Sequence, residues 1–172
     1  HADLLEASAR CKAWNPDCLT VVGGPHASMF GDLLAPTPHL DLVVRGEGER
    51  TFVEILKAWA DGRTFHDIPG LVFAEGDRPV ETGRRPFEED LDALPLPAWD
   101  LLDLPAYSRT KTMNAVLAAF PYMHVMTSRG CPFQCIYCHR LMGMKYRERS
   151  IDGVMSELEI LQHQYGVREI HI

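Results

Sequence analysis

Ser128-Arg129-Gly130-Cys131-Pro132-Phe133-Gln134-Cys135-Ile136-Tyr137-Cys138 is the stretch on which the reading of this chain turns. Three cysteines fall within eight residues, spaced Cys-x-x-x-Cys-x-x-Cys. An apolar run, Tyr122 to Thr127, leads directly into them. Three thiolates on one short loop can hold three irons of a 4Fe-4S cube, because such clusters are normally ligated by cysteine. Full ligation takes four, so a set of three leaves one iron open, as in the distinction between catalytic and structural zinc. Two other readings of the spacing stand beside this one. A disulfide would consume two of the cysteines and strand the third. Zinc favours Cys-x-x-Cys but usually brings a second ligand pair further on, whereas His139 lies on the same tight loop and no cysteine follows.

Composition narrows the class. The chain has 172 residues, enough for one domain or parts of two, and 46% of them are hydrophobic, enough for a real core. A net charge of −7 argues against a general nucleic-acid binder. No run of eighteen apolar residues is present, so no membrane span is expected. No charged leader precedes an apolar stretch, and five cysteines with a clustered triplet suit a reducing cytoplasm better than a disulfide scaffold. The chain opens on His1 within a helical pattern and stops at Arg168-Glu169-Ile170-His171-Ile172, a strand just begun. It therefore reads as an internal part of a longer protein.

Leu4, Ala7, Cys11 and Trp14 predict one face of a first helix, ended by Asn15-Pro16-Asp17. Cys18 to Val22 reads as a buried strand, with Cys11 and Cys18 as small buried hydrophobes. Gly23-Gly24-Pro25-His26 follows, then a short helix over 27–34, a strand over Leu40 to Val44, and Arg45-Gly46-Glu47-Gly48-Glu49. A helix from about Arg50 to Ala60 should bury Phe52, Ile55, Leu56 and Trp59. Alternating strands and helices argue a parallel sheet, whose ligands sit at the carboxyl ends of the strands, where both glycine turns fall. Neither turn has Gly-x-Gly-x-x-Gly spacing, and the acids beside Gly46 and Gly48 would repel a pyrophosphate. A tight turn with no ligand remains an equal reading of Gly23-Gly24-Pro25, and His26 reads as a structural or site-lining loop residue.

Gly70 to Ala74 and Arg78 to Thr82, joined by Glu75-Gly76-Asp77, predict a small hairpin outside the main sheet. Leu91 to Tyr107 carries Pro95, Pro97 and Pro105 among leucines and Trp99, as an ordered linker packed by its apolar residues would. Lys111 to Phe120 reads as a loop or helical turn. Tyr122 to Thr127 opens a second domain as a strand. Arg140, Lys145, Arg147 and Arg149 read as a solvated basic loop or as groups that orient a cofactor. Ser150 should cap a helix whose apolar face is Ile151, Val154, Met155, Leu158, Leu161 and Tyr165, and Gly166 should end it. Strand, loop, helix, strand is the opening unit of a β/α barrel, whose chemistry sits at the carboxyl ends of its strands. The segments are 1–62, 63–120 and 121–172.

The cysteine stretch resembles the cluster loop of the radical S-adenosylmethionine superfamily, whose pattern is Cys-x-x-x-Cys-x-aromatic-Cys, with Tyr137 at the aromatic position. The resemblance implies that Cys131, Cys135 and Cys138 bind a 4Fe-4S cluster, that its open iron chelates S-adenosylmethionine, and that Tyr137 lies by the adenine. Gly130 and Pro132 would shape the loop. The two glycine turns are similar to the later half of the cobalamin-binding domain that precedes many such enzymes, which implies that Gly23, Gly24, Gly46, Glu47 and Gly48 contact cobalamin. The axial-histidine motif of the wider cobalamin family would lie before His1, and His26 does not replace it. The implied fold is α/β: the C-terminal half of a Rossmann-like cobalamin-binding domain, a proline-rich linker with a hairpin, and the first βα unit of a partial barrel. The implied activity is reductive cleavage of S-adenosylmethionine to a 5′-deoxyadenosyl radical, with cobalamin-dependent methyl transfer to an unactivated carbon. A radical enzyme without cobalamin, carrying out another reaction such as cyclisation, and a non-catalytic zinc or iron–sulfur module are the alternatives. The implied partners are a small-molecule or natural-product substrate and an electron donor such as flavodoxin or ferredoxin. This chain alone, lacking most of a barrel, should be inactive.

Overall fold

The computed structural model describes residues 2–107, 109 and 117–172. The chain divides into two compact units, His1–Glu88 with Gln134–Gly143, and Glu89–Phe133 with Met144–Ile172. Most of the segment 111–120, read from sequence as a loop or turn, lies outside the described residues.

The first unit is a mixed α/β sheet. Helix α1 (Ala2–Trp14) leads to strand β1 (Val21–Val22), helix α2 (Pro25–Leu34), strand β2 (Leu42–Val44) and helix α3 (Glu49–Ala60). Strands β3 (Leu71–Glu75) and β4 (Arg78–Glu81) follow, giving the sheet order β1-β2-β3-β4. β1 and β2 are parallel, as the alternation predicts. β2 and β3 are antiparallel, with Val43 opposite Val72, so the hairpin is not outside the sheet but completes it. Its edge is built from Leu71, Val72 and Phe73, all buried, and an apolar run of that kind needs a neighbour on both faces.

Side chains alternate across the pleat. Leu42, Val44, Leu71 and Phe73 meet Ile55 and Ala58 of α3 on one face. Val43 and Val72 meet Ala27 and Leu34 of α2 on the other. The α3 face differs from the expected one. Ile55 is fully buried with Thr51 and Ala58, while Phe52, Leu56 and Trp59 are exposed. Both sets have the same 3.6-residue spacing, about 100° apart, so periodicity alone could not choose between them. The expected α1 face is likewise not a core: Ala7, Cys11 and Trp14 are exposed, Cys18 is half-buried, and Ser8 is the helix's buried residue. The start of β1 is tied to β2 by Asp41, whose carboxylate accepts from Thr20 N (2.7 Å) and Thr20 Oγ1 (2.8 Å) and pairs with Lys12 at 2.7 Å. Burial alone would raise the Asp41 pKa, but these partners outweigh it and hold the carboxyl below its ordinary range.

The second unit begins with single helical turns at Leu91–Ala93 and Trp99–Leu101 and a short helix α4 (Leu104–Tyr107). Leu91, Trp99 and Leu104 are buried and anchor the proline-rich segment, while Leu96, Leu101 and Leu102 are exposed, so the expected apolar packing holds for part of it. Strand β5 (Tyr122–His124) pairs in parallel with β8 (Glu169–His171), and helix α5 (Ile151–Tyr165) lies between them in sequence. Ser150 caps α5 by accepting from Gly153 N at 3.0 Å, and Gly166 ends it at φ 65°, a left-handed conformation that favours glycine. The core is Trp99, Leu104, Met123, Val125, Leu161 and Val167. Of the predicted α5 face, Leu161 is buried and Leu158 and Tyr165 pack beside it, whereas Ile151 and Met155 are exposed. Among the described residues, no helix is long and apolar enough to cross a membrane.

Candidate functional site

The cysteine loop follows β5 and is tied at its base by a feature the sequence did not disclose. Strand β6 (Ser128–Arg129) pairs antiparallel with β7 (Arg147–Glu148), Ser128 opposite Glu148 and Arg129 opposite Arg147. Two-residue strands of polar residues carry no alternation signal, so this ladder was unreadable. It brackets the loop in sequence between Gly130 and Tyr146.

All five cysteines are free, and Cys131, Cys135 and Cys138 are exposed. Cys138 N donates to Cys135 O at 3.1 Å, closing a turn whose tip, Ile136-Tyr137, is out in solvent. Cys138 Sγ contacts His139 O at 3.3 Å. Among the described residues, no group of three or more His, Cys, Asp or Glu side chains stands close enough together to hold a metal ion. The donor chemistry nonetheless fits a cluster: three soft ligands at short spacing, in no disulfide, accessible, and with no fourth cysteine nearby in sequence. The three thiols fall in different units, Cys131 in the second and Cys135 and Cys138 in the first, and metal binding itself can draw such donors together.

The basic run after the cysteines is divided: Arg140 and Lys145 are exposed, as a solvated loop would have them, whereas Arg147 and Arg149 turn inward. Arg147 is buried, and Arg149 donates to Glu157 of α5, which is itself buried. Arg149 also donates to Met126 O (3.2 Å) and Gly153 O (3.0 Å), joining the strand, the loop base and the helix. Lys145 pairs with Glu89 on the surface. These contacts are structural.

In the first unit, Gly23, Gly24, Gly46 and Gly48 line one cavity of about 340 Å³ at the carboxyl ends of β1 and β2, together with Val21, Val44, Glu49 and Phe52. Gly24 (φ 91°) and Gly46 (φ 77°) sit in the left-handed region, and a Cβ added to either would meet nothing within 4 Å. Backbone conformation, not crowding, demands glycine there, and the space above the backbone is open to a ligand. Glu47 is placed differently: its carboxylate accepts from Glu88 N at 2.8 Å and does not line the cavity. His26 is exposed, with its ring 5.1 Å from Phe30.

Sequence reasoning also passed over a polar group on the β5–β8 ladder. Glu169 accepts from Ala118 N and Ala119 N, each at 2.6 Å, and from His171 Nε2 at 2.7 Å. The His171 hydrogen bond, with the two amides, holds the Glu169 carboxyl below its ordinary value. The His171 ring lies 5.1 Å from that of His124 and 5.5 Å from that of Tyr122. The residues alternate along two short strands, but with the second strand only three residues long the pattern could not be told from a tail.

No protein-family model matches the chain. Individual proteins do. The chain is 37% identical over 171 residues to an uncharacterised methyltransferase of Pyrococcus horikoshii, covering 98% of this chain and 36% of that one. It is 36% identical over 157 residues to the anaerobic magnesium-protoporphyrin IX monomethyl ester cyclase of Cereibacter sphaeroides, covering 88% of this chain and 24% of that one. The hopanoid C-3 methylase of Methylococcus capsulatus is 32% identical over 160 residues, covering 91% and 29%. The chain thus spans between a quarter and about a third of these curated relatives. In fold, it matches the radical S-adenosylmethionine methyltransferase TsrM of Kitasatospora setae, solved with tryptophan and a S-adenosylmethionine analogue, at a TM-score of 0.68, with 21% identity over 97% of this chain and 32% of that one. A second structure of that enzyme, with cobalamin and a 4Fe-4S cluster bound, matches at 0.59, with 22% identity over 88% of this chain and 30% of that one.

Proposed function

We propose that this chain, which belongs with the radical S-adenosylmethionine methyltransferases and cyclases, is the cofactor-gathering part of an enzyme that methylates an unactivated carbon with the help of cobalamin. The observation that carries this reading is the set of three free, exposed thiols, Cys131, Cys135 and Cys138, on a loop following a parallel strand and fastened at its base by β6 and β7. When bound, the cluster would supply the electron that cleaves S-adenosylmethionine, and cobalamin would carry the methyl group.

The roles of the chain's own residues follow from their placement. The three thiolates would hold three irons and leave the fourth for S-adenosylmethionine. Tyr137, already at the loop tip, would lie against the adenine. Gly23, Gly24, Gly46 and Gly48 would let cobalamin approach the backbone closely, which side chains at those positions would prevent. Glu47 would act by holding the turn through Glu88 N rather than by touching the cofactor. The electron donor would be a small redox protein such as flavodoxin or ferredoxin, the substrate a small molecule, and the compartment the reducing cytoplasm. In domain terms, 1–62 together with the hairpin that completes its sheet would be the partial cobalamin-binding domain, the remainder of 63–120 the proline-rich linker, and 121–172 the start of the barrel.

A second reading, radical ring closure, is favoured by the similarity to the cyclase of Cereibacter sphaeroides. Anaerobic reconstitution of the complete protein with iron, sulfide and hydroxocobalamin tests both. The expected result is about four irons with labile sulfide per chain, brown absorbance, bound corrinoid and 5′-deoxyadenosine formed from S-adenosylmethionine. A methylated product favours methyl transfer, and an unmethylated, dehydrogenated ring favours cyclisation. One zinc and no visible absorbance would sink both.

A further inference from the structure

A cavity of about 440 Å³ lies within the second unit, apart from the cysteines and the glycine turns. Its volume is in the range of small-molecule sites. Its walls are the proline-rich segment, the end of β5 and the first turns of α5. Most of the polar groups around it are already committed. Arg149 is paired with Glu157, Asp92 accepts from Ser150 N at 2.8 Å, and Ser150 Oγ accepts from Gly153 N.

Two groups are not accounted for in that way. Trp99 is 8% exposed, and its indole N–H is buried with no acceptor among the described residues. An indole N–H can only donate, and buried tryptophans usually find a partner. The second is His124. Met123 and Val125 turn into the core, so Tyr122 and His124 fall on the opposite face of the strand. His124 is exposed and lines the cavity. Its ring is met edge-on by His171 (5.1 Å, 83°) and by Tyr122 (5.7 Å, 86°). His171 is in turn fixed by Glu169: an ionised carboxylate only accepts, so Nε2 of His171 must carry the hydrogen. Two backbone amides hold Glu169. The imidazole at the cavity wall is thus oriented from behind by a chain of contacts that ends in the main chain.

We propose that this cavity binds a flat, mainly apolar small molecule through a hydrogen-bond acceptor such as a carbonyl or carboxylate, with Trp99 and His124 as its polar contacts and His171 and Glu169 as positioning residues. Leu96, Pro97 and Met126 supply the apolar wall. That the molecule is the enzyme's substrate rests on the function proposed above; that the cavity binds it does not.

The test is a fluorescence titration of the cluster-free complete protein with 2-naphthoate, a flat apolar body carrying a carboxylate. Saturable binding at one site is expected. Trp99→Phe and His124→Phe should each weaken it about fivefold, the effect of one lost hydrogen bond. His171→Ala should weaken it as well, and His171→Asn, whose amide still donates to Glu169, should recover part of the loss, which a purely structural role would not show. Val53→Ser with Leu56→Ser, which alters the exposed apolar face of α3, should change nothing. Absence of saturable binding, unchanged affinity in both Trp99→Phe and His124→Phe, or loss only in the α3 variant overturns the site. Iron uptake by the same preparations is read separately: probe binding without cluster assembly would sink the cofactor reading and leave this site standing, and the reverse would sink this site alone.

Discussion

The pairs β1–β2 and β5–β8 are the same device used twice, two parallel strands with a helix between them in sequence, and they finish at their carboxyl ends in opposite ways. The first pair ends in glycines, and the cavity there is made of backbone that is already in place. The second leads into a loop whose three thiols are free and exposed. A backbone site is fixed by dihedral angles, so it forms with the fold. A site of side-chain donors on a long loop forms with its metal. The lesson is that the two ends should respond differently to mutation.

The largest effect tests this directly. Cys131→Ala, Cys135→Ala or Cys138→Ala should each abolish iron retention and visible absorbance after reconstitution, because three thiolates are the minimum for the cluster. The same changes should leave the stability of the iron-free protein within about 0.5 kcal/mol, as exposed substitutions usually do. Gly24→Ala and Gly46→Ala should do the reverse, retaining iron but destabilising by about 1 kcal/mol, since φ of 91° and 77° strains any side chain. Urea denaturation and iron analysis on one set of proteins decide it. A cysteine variant that unfolds the iron-free protein would break the comparison.

Next in size are the two cores. Ile55 and Leu161 are both fully buried, each in its own unit. Ile55→Ala and Leu161→Ala should each cost about 2–5 kcal/mol by leaving a cavity. If the units unfold separately, each substitution should shift one of two transitions in calorimetry. A single transition shifted by both would show that the two units unfold as one.

Much of this was legible in the sequence, and the misses share a cause. Helices α2, α3 and α5, the parallel strand pairs, the Ser150 cap and the Gly166 stop were readable because periodicity, caps and glycine punctuation are local signals. The buried side of α3 was not, since Thr51-Ile55-Ala58 and Phe52-Leu56-Trp59 have equal spacing and only the sheet chooses between them. The pairing of β3 with β2 was missed because hairpin chemistry says where a chain turns, not which strand it joins. In the candidate site, the cysteines were plain from spacing. The Arg149–Glu157 pair, the β6–β7 ladder, and the contacts of Glu169 with Ala118 and of His171 with His124 depend on partners 8 to 51 residues apart, which no window reveals.

Ion pairs sharpen the contrast at a lower energy. Arg149 and Glu157 are 13% and 2% exposed, whereas Arg85 and Glu54 in the first unit are 14% and 43% exposed. Glu157→Ala leaves a buried guanidinium without its carboxylate and should cost about 3 kcal/mol. Glu54→Ala leaves Arg85 with Thr51 Oγ1 at 2.8 Å and some access to water, and should cost less than about 1 kcal/mol. Denaturation midpoints compare the two directly, and equal losses would show that burial is not what sets the second unit's pair apart.

The smallest effect is acid sensitivity, in which the two units should behave alike. Asp41 is pushed up by burial, but Lys12 and Thr20 pull its pKa below the ordinary 3.8. Glu169 is held below its ordinary 4.5 by His171 and the amides of Ala119 and Ala118. A carboxyl depressed in the folded state binds protons more readily when unfolded, so stability rises with pH across its titration. Each contribution is therefore fully present above the unfolded value and is lost as pH falls through the folded one. Between pH 7 and about 5 neither should change stability; below about 4.5 Glu169 fades first, then Asp41 below about 3.8. Urea midpoints measured down this range should fall less steeply in Glu169→Gln and in Asp41→Asn than in the unaltered protein. A variant that keeps the full acid slope would show that its carboxylate, although hydrogen-bonded, is not what couples that strand pair to pH.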